Sequence, residues 1–201
     1  MTGAMARAAA FSFALALALC LAGCGRGGPQ FQTSDVTGAA MGRDFALTDH
    51  NGKARTLADF RGKVVVIFFG YTQCPDVCPT TLATFKQVWA KLREAGIEKK
   101  VAFDFISVDP ERDTPEQLAK YVGYFSKDFV AATGTDAELT KLTRALGLVY
   151  AREPSANGDY TVDHSASAVI IDPAGRQTGL FRPPFDAAKI AADLQALAAS
   201  G

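Results

Sequence analysis

The longest uninterrupted apolar pattern in the folded part of the chain is Val64-Val65-Val66-Ile67-Phe68-Phe69. β-Branched and then aromatic residues without a polar break predict a strand buried on both faces of a sheet. Gly70 ends the run, and Cys74 and Cys78 follow in a proline-bracketed turn. Pro79 lacks an N–H and has φ preset, which suits the first helical position and makes Cys78 the expected N-cap. Leu82, Phe85, Val88 or Trp89, and Leu92 then share one helix face.

Upstream, Phe45 to Thr48 alternates as a short strand, turned by Asn51-Gly52 into a partner around Arg55 to Leu57, an N-terminal β-hairpin with His50 on its turn. Downstream, Val101 to Val108 predicts a second strand. Thr114-Pro115-Glu116-Gln117 reads as a capping box with Pro at N1, opening a helix that buries Leu118, Tyr121, Val122 and Phe125. Asp136 is the expected cap of a third helix, with Leu139, Leu142 and Leu146 inward and Gly147 as its stop. Leu148 to Ala151 reads as a short strand and Pro154 to Asp159 as a loop. Tyr160 to Ser165 leads into a buried strand, Ala168 to Ile171, with His164 expected where that strand begins. Asp172-Pro173-Ala174-Gly175 has the chemistry of a type I turn and returns the chain to Leu180-Phe181. Asp186 caps a last helix carrying Ile190, Leu194 and Leu197. This order predicts an α/β fold, a central mixed sheet flanked by helices, without repeats or a second domain.

Composition narrows the picture. The chain has 201 residues, 48% hydrophobic, with Lys+Arg 21 against Asp+Glu 21, which suits one core and gives no basic footprint for nucleic acid. Arg7 precedes an apolar run from Ala8 to Leu21, short for a membrane span and read as a secretory signal. Its end, Leu21-Ala22-Gly23-Cys24, resembles the bacterial lipoprotein box. Residues 1–23 are then a signal peptide, Cys24 the lipidated residue, 24–40 a tether and 41–201 the folded domain. The Gly-rich tether would reach roughly 20–25 Å. The expected location is the cell envelope, on a membrane facing the periplasm or on the outer side of the cytoplasmic membrane. Cys20 leaves with the signal, so Cys74 and Cys78 remain as thiols in an oxidising compartment.

A buried strand that delivers two thiols to a helix N-terminus favours thiolate. Three residues intervene, Pro75-Asp76-Val77, a wider turn than the two-residue spacing of a thioredoxin-like redox site. Such a turn can close a disulfide or open two sulfurs towards a metal. Structural zinc wants four ligands, and this chain offers these two thiols and two histidines. With His50 discounted as a turn residue, Cys74, Cys78 and His164 form a soft set suited to Cu(I), and with the imidazole to Cu(II). Met41 is the one methionine left after signal removal, so a thioether-rich site is excluded. Asp163 is a weak candidate for orienting the imidazole. Asp109, Glu111 and Asp113 alternate around Arg112 without cation-loop spacing, and read as a structural loop in which Asp109 tunes the site's charge.

Three segments carry a family resemblance: Tyr71-Thr72-Gln73-Cys74-Pro75-Asp76-Val77-Cys78-Pro79, Ser107-Val108-Asp109-Pro110-Glu111-Arg112-Asp113-Thr114-Pro115, and Val162-Asp163-His164-Ser165. In this order they resemble the hallmark segments of the Sco/SenC family, over about Phe45 to Phe185. The resemblance implies a thioredoxin-like fold and a membrane-tethered copper chaperone serving assembly of the binuclear copper centre of cytochrome c oxidase. It assigns Cys74, Cys78 and His164 as copper ligands, and the cysteine pair as a redox-active dithiol for the target's cysteines. The implied partners are the copper-bearing oxidase subunit, other periplasmic copper carriers or thiol reductants, and the membrane through the lipid anchor. The rival readings are a thiol-disulfide oxidoreductase, which does not need His164, and a peroxiredoxin-like peroxidase, which would need an arginine set around the attacking thiolate.

Overall fold

The computed structural model describes residues 34–35, 46–155 and 158–199. The signal peptide, the lipidation residue Cys24 and most of the tether lie outside the described residues. Ser34–Asp35, inside the stretch read as tether, form a two-residue strand, β1. The expected hairpin follows as β2 (Leu47–Asp49) and β3 (Ala54–Arg55). Then come β4 (Val64–Gly70), α1 (Val77–Glu94), β5 (Val101–Ser107) and α2 (Pro115–Phe125). After them lie β6 (Val130–Thr133), α3 (Asp136–Ala145), β7 (Tyr150–Pro154), β8 (Tyr160–His164), β9 (Ala168–Ile171), β10 (Gln177–Phe181) and α4 (Ala187–Ala199).

The main sheet has the order β1-β10-β9-β4-β5-β6-β2-β3. β4, β5 and β6 are parallel, while β9 and β10 run antiparallel beside β4. β4 is central and buried along its whole length, for the reason its composition predicts. Val64, Val66 and Phe68 face the side packed by α1, α2 and α4. Val65, Ile67 and Phe69 face Leu139 and Leu142 of α3 together with Val162. Each such side chain contributes about 1.5–3 kcal/mol of burial, so the strand that carries the thiol turn is firmly held. Among the described residues no helix is long and apolar enough to cross a membrane.

Several boundaries differ from expectation. α1 starts at Val77 with Asp76 as N-cap, so Cys78 and Pro79 lie inside the first turn. Pro is tolerated there because the first-turn amides have no intrahelical acceptor to lose. The cap of α3 is Thr135, which forms a capping box with Glu138; Asp136 is the first helical residue. β6 has no counterpart among the expected elements. Tyr160 to His164 is a strand of its own, paired with β7 in a separate two-stranded sheet, so His164 ends β8 and does not begin β9. The box at Thr114 and the Asp186 cap stand as expected, the latter accepting from the amides of Ala188 and Lys189.

Candidate metal centre

Gly70 closes β4, and the next residues leave the sheet. Asp113, 1% exposed, fixes their path. Its carboxylate accepts from Thr72 N at 2.9 Å, from Thr72 Oγ1 at 2.6 Å and from Ser107 Oγ at 2.5 Å. The cysteine turn is thereby tied to the end of β5. Cys74 then sits half-buried on the turn, and Cys78, 0% exposed, sits in the first turn of α1. The close approach of Cys78 depends on Gly70, since a Cβ there would stand 2.7 Å from Cys78 Sγ.

The amide of Cys78 points at the Cys74 sulfur, 3.4 Å away. The helix N-terminus therefore serves Cys74, not Cys78 as an N-cap position would have required. The Cys74 thiol is lowered to about 4, first by a hydrogen bond from the Cys78 thiol, against the cost of burial, with His164 and the amides of Cys78 and Asp76 adding to it. Cys78 is pushed far up by the same hydrogen bond, then by burial and by the neighbouring Cys74 charge. The two sulfurs are unequal: an accessible thiolate and a buried thiol. In dithiol chemistry this inequality would suit Cys74 as the attacking sulfur and Cys78 as the resolving one.

His164 completes the group. Its Nε2 lies 3.4 Å from Cys78 Sγ, and Nδ1 faces the carbonyl oxygen of Ser165 at 3.3 Å. A proton on Nδ1 would donate there and leave the Nε2 lone pair directed at the sulfurs. Phe68 and Tyr71 pack edge-on against the ring at 6.0 and 6.1 Å. Asp163 is exposed on the opposite side of β8 and plays no part in orienting the imidazole. The ligand atoms of Cys74, Cys78 and His164 all lie within 4.8 Å of one another. Donors about 2.3 Å (sulfur) and about 2.0 Å (nitrogen) from one ion would stand roughly 3.7–4 Å apart in a trigonal site, so a small contraction suffices. His50, by contrast, accepts from the amide of Ala131 at 3.0 Å and is a structural tie to β6.

The 109–113 loop holds the histidine hairpin in place, a role its sequence did not disclose. Asp109, fully buried, pairs with Arg112 at 2.5 Å and accepts from Tyr160 Oη at 2.6 Å. The Arg112 guanidinium also donates to Asp159 and to the carbonyl of Tyr160, both at 3.0 Å, and stacks 3.7 Å from the Tyr160 ring. Arg152 of β7 pairs with Glu111 at 2.7 Å. Apart from the Asp109–Arg112 pair, these contacts join residues about forty to fifty positions apart, so no local pattern announces them.

A search of known proteins gives concordant matches. The sequence profile of the family described as SCO1/SenC matches residues 33–199. The chain is 38% identical over 158 residues to the mitochondrial protein SCO2 homolog of Bos taurus, covering 78% of this chain and 59% of that one, less than two thirds of the relative's length. Among solved structures, Bradyrhizobium japonicum ScoI with copper bound superposes with a TM-score of 0.72 at 40% identity, over 79% of this chain and 99% of that one. Arabidopsis thaliana ScoI with copper bound does so with a TM-score of 0.72 at 31% identity, over 78% of this chain and 98% of that one. The expected α/β, thioredoxin-like architecture is the fold of these relatives.

Proposed function

This chain belongs to the SCO1/SenC family, and on that premise we propose that it is a copper-delivery protein of the cell envelope. The observation that carries the reading is the convergence of two sulfurs and one imidazole nitrogen within 4.8 Å, brought together from a sheet–helix turn and a separate hairpin. Copper is the cargo. Cys74 meets it already as thiolate, Cys78 releases its proton on binding, and His164 offers Nε2 when the ring proton sits on Nδ1. The relatives solved with copper support the choice of metal, as does the softness of the donor set. Cargo leaves by exchange, an incoming thiolate replacing one donor at a time.

The three hallmark segments support the binuclear copper centre of cytochrome c oxidase as the destination. Lipid at Cys24 and the tether after it would hold the domain at the membrane where that subunit is assembled. A second activity is favoured by the inequality of the sulfurs: a Cys74 thiolate beside a Cys78 thiol suits the dithiol to reduce a disulfide in the target before copper arrives.

The test is titration of the reduced chain and of His164→Ala with Cu(I) and Cu(II), counting thiols before and after. One equivalent should bind with loss of both free thiols. His164→Ala should keep Cu(I) and lose Cu(II) affinity by at least about 10–100-fold, while still reducing a test disulfide. If His164→Ala holds Cu(II) like the parent and supports copper loading of the oxidase in cells lacking the native chain, His164 is structural and the oxidoreductase reading moves to first place. Mass spectrometry of membrane-extracted protein should show residues 1–23 removed and acyl mass on Cys24; an intact Met1 end refutes the anchor.

A further inference from the structure

Beside the thiol turn lies an open groove of about 500 Å³. Thr72 and Pro79, which bracket the two cysteines in the chain, form one wall. Gln117, Lys120, Tyr121 and Tyr124, spaced along one face of α2, form the other. Its Thr72 and Pro79 wall lies two residues before Cys74 and one after Cys78 in the chain. Tyr124 is 79% exposed and Val77, between the cysteines, 43%. With Val149 they are the large apolar side chains found exposed among the described residues, so two of these three surround the thiol turn. Such a concentration of exposed apolar surface marks a contact site.

Charge selects among occupants. Lys120 lines the groove, no carboxylate does among the described residues, and Lys86 Nζ stands 6.0 Å over the Tyr124 ring at its rim. We propose that this groove is the docking surface for the target protein's cysteine-bearing segment, and that it takes an extended stretch with an apolar or aromatic side chain flanked by carboxylates. The inference rests on the delivery and dithiol reading above, and names what that site recognises. The apolar side chain enters between Pro79 and Tyr124, and the carboxylates meet Lys120 and Lys86.

Two synthetic peptides test it, each closed by one disulfide with an adjacent phenylalanine, one flanked by glutamates and the other by lysines. In the reaction followed, the Cys74 thiolate attacks a peptide sulfur and expels the other. Cys78 then attacks the Cys74 sulfur and expels the second, so two electrons pass to the peptide and the chain is left with a Cys74–Cys78 disulfide. The proton of Cys78 and one from solvent go to the two peptide thiolates. At low salt the parent should reduce the glutamate peptide roughly tenfold faster than the lysine peptide, and the Lys86→Glu/Lys120→Glu variant should invert the order. Tyr124→Ser should slow the glutamate peptide several-fold, while copper affinity stays at the parent value in all variants. Equal rates for both peptides in parent and variant overturn the proposal. A chain that prefers the glutamate peptide but binds no copper leaves the groove standing and refutes the delivery reading instead.

Discussion

An ordinary cysteine thiol, with a pKa near 8.5, is only about 0.03% thiolate at pH 5. Cys74, lowered to about 4, is mostly thiolate there. The advantage in population is about 3,000-fold, but it is not the advantage in rate. Nucleophilicity falls with basicity, with a Brønsted coefficient of about 0.4–0.5, which over this range costs roughly 100-fold. Cys74 should therefore react with iodoacetamide about 30-fold faster than free cysteine at pH 5. The two should match near pH ~6.5, and Cys74 should be about 50-fold slower at pH 8.5. Its own profile is flat above pH ~5, since the group is already ionised, and falls as pH drops through about 4. Cys78, 0% exposed and shifted the other way, should stay unlabelled throughout. The assay is alkylation of the reduced chain at a series of pH values, with peptide mapping to assign each site. Cys78→Ala removes the hydrogen bond that contributes most to the lowering, so its Cys74 profile should move up towards that of free cysteine. A Cys74 rate that climbs tenfold per pH unit between 6 and 8 in the parent would refute the reasoning.

Two further substitutions probe how the turn is held. Gly70→Ala places a methyl group 2.7 Å from both Cys78 Sγ and Phe105 Cε2, which overpacks the core; it should cost about 1–3 kcal/mol in urea denaturation and weaken copper binding by displacing the sulfur. A parent-like midpoint and affinity would show that the close approach is unimportant. Asp113→Ala removes the acceptor shared by Thr72 and Ser107; at about 1–3 kcal/mol for each stranded buried donor, a loss of roughly 3 kcal/mol or more is expected, checked by the same denaturation.

The parts of the fold that were legible are those whose reasons are local. β4 shows itself by an apolar run, the Thr114 box by a hydroxyl and an amide three residues apart, and α4 by an acid just before its first turn. The cysteines and His164 were legible as chemistry, because few other residues could do what they do. β6 was not, since Val130-Ala131-Ala132-Thr133 is short, half alanine, and neither alternates nor forms a long apolar run. β7 was anticipated only at its start, as Leu148 to Ala151, and β8 escaped, because apart from Val162 these strands are exposed or half-buried, with polar and charged residues throughout. The start of α1 moved for a subtler reason: a proline fits any first-turn position, so Pro79 could not say which one it held. Asp109, Arg112 and Tyr160 have their meaning only in three dimensions, where a loop after β5 clamps a hairpin from later in the chain.

That clamp makes the third donor modular. The sulfurs belong to the central sheet and α1, whereas His164 belongs to a two-stranded sheet of its own, held largely by Arg112 and Tyr160. A lineage could lengthen, loosen or replace the hairpin and change what the nitrogen contributes, with the dithiol left intact. The reverse is not available, because a change in the cysteine turn disturbs β4, β5 and α1 together. The nitrogen and the two sulfurs thus sit on separate pieces of the chain, coupled only where His164 meets the thiols.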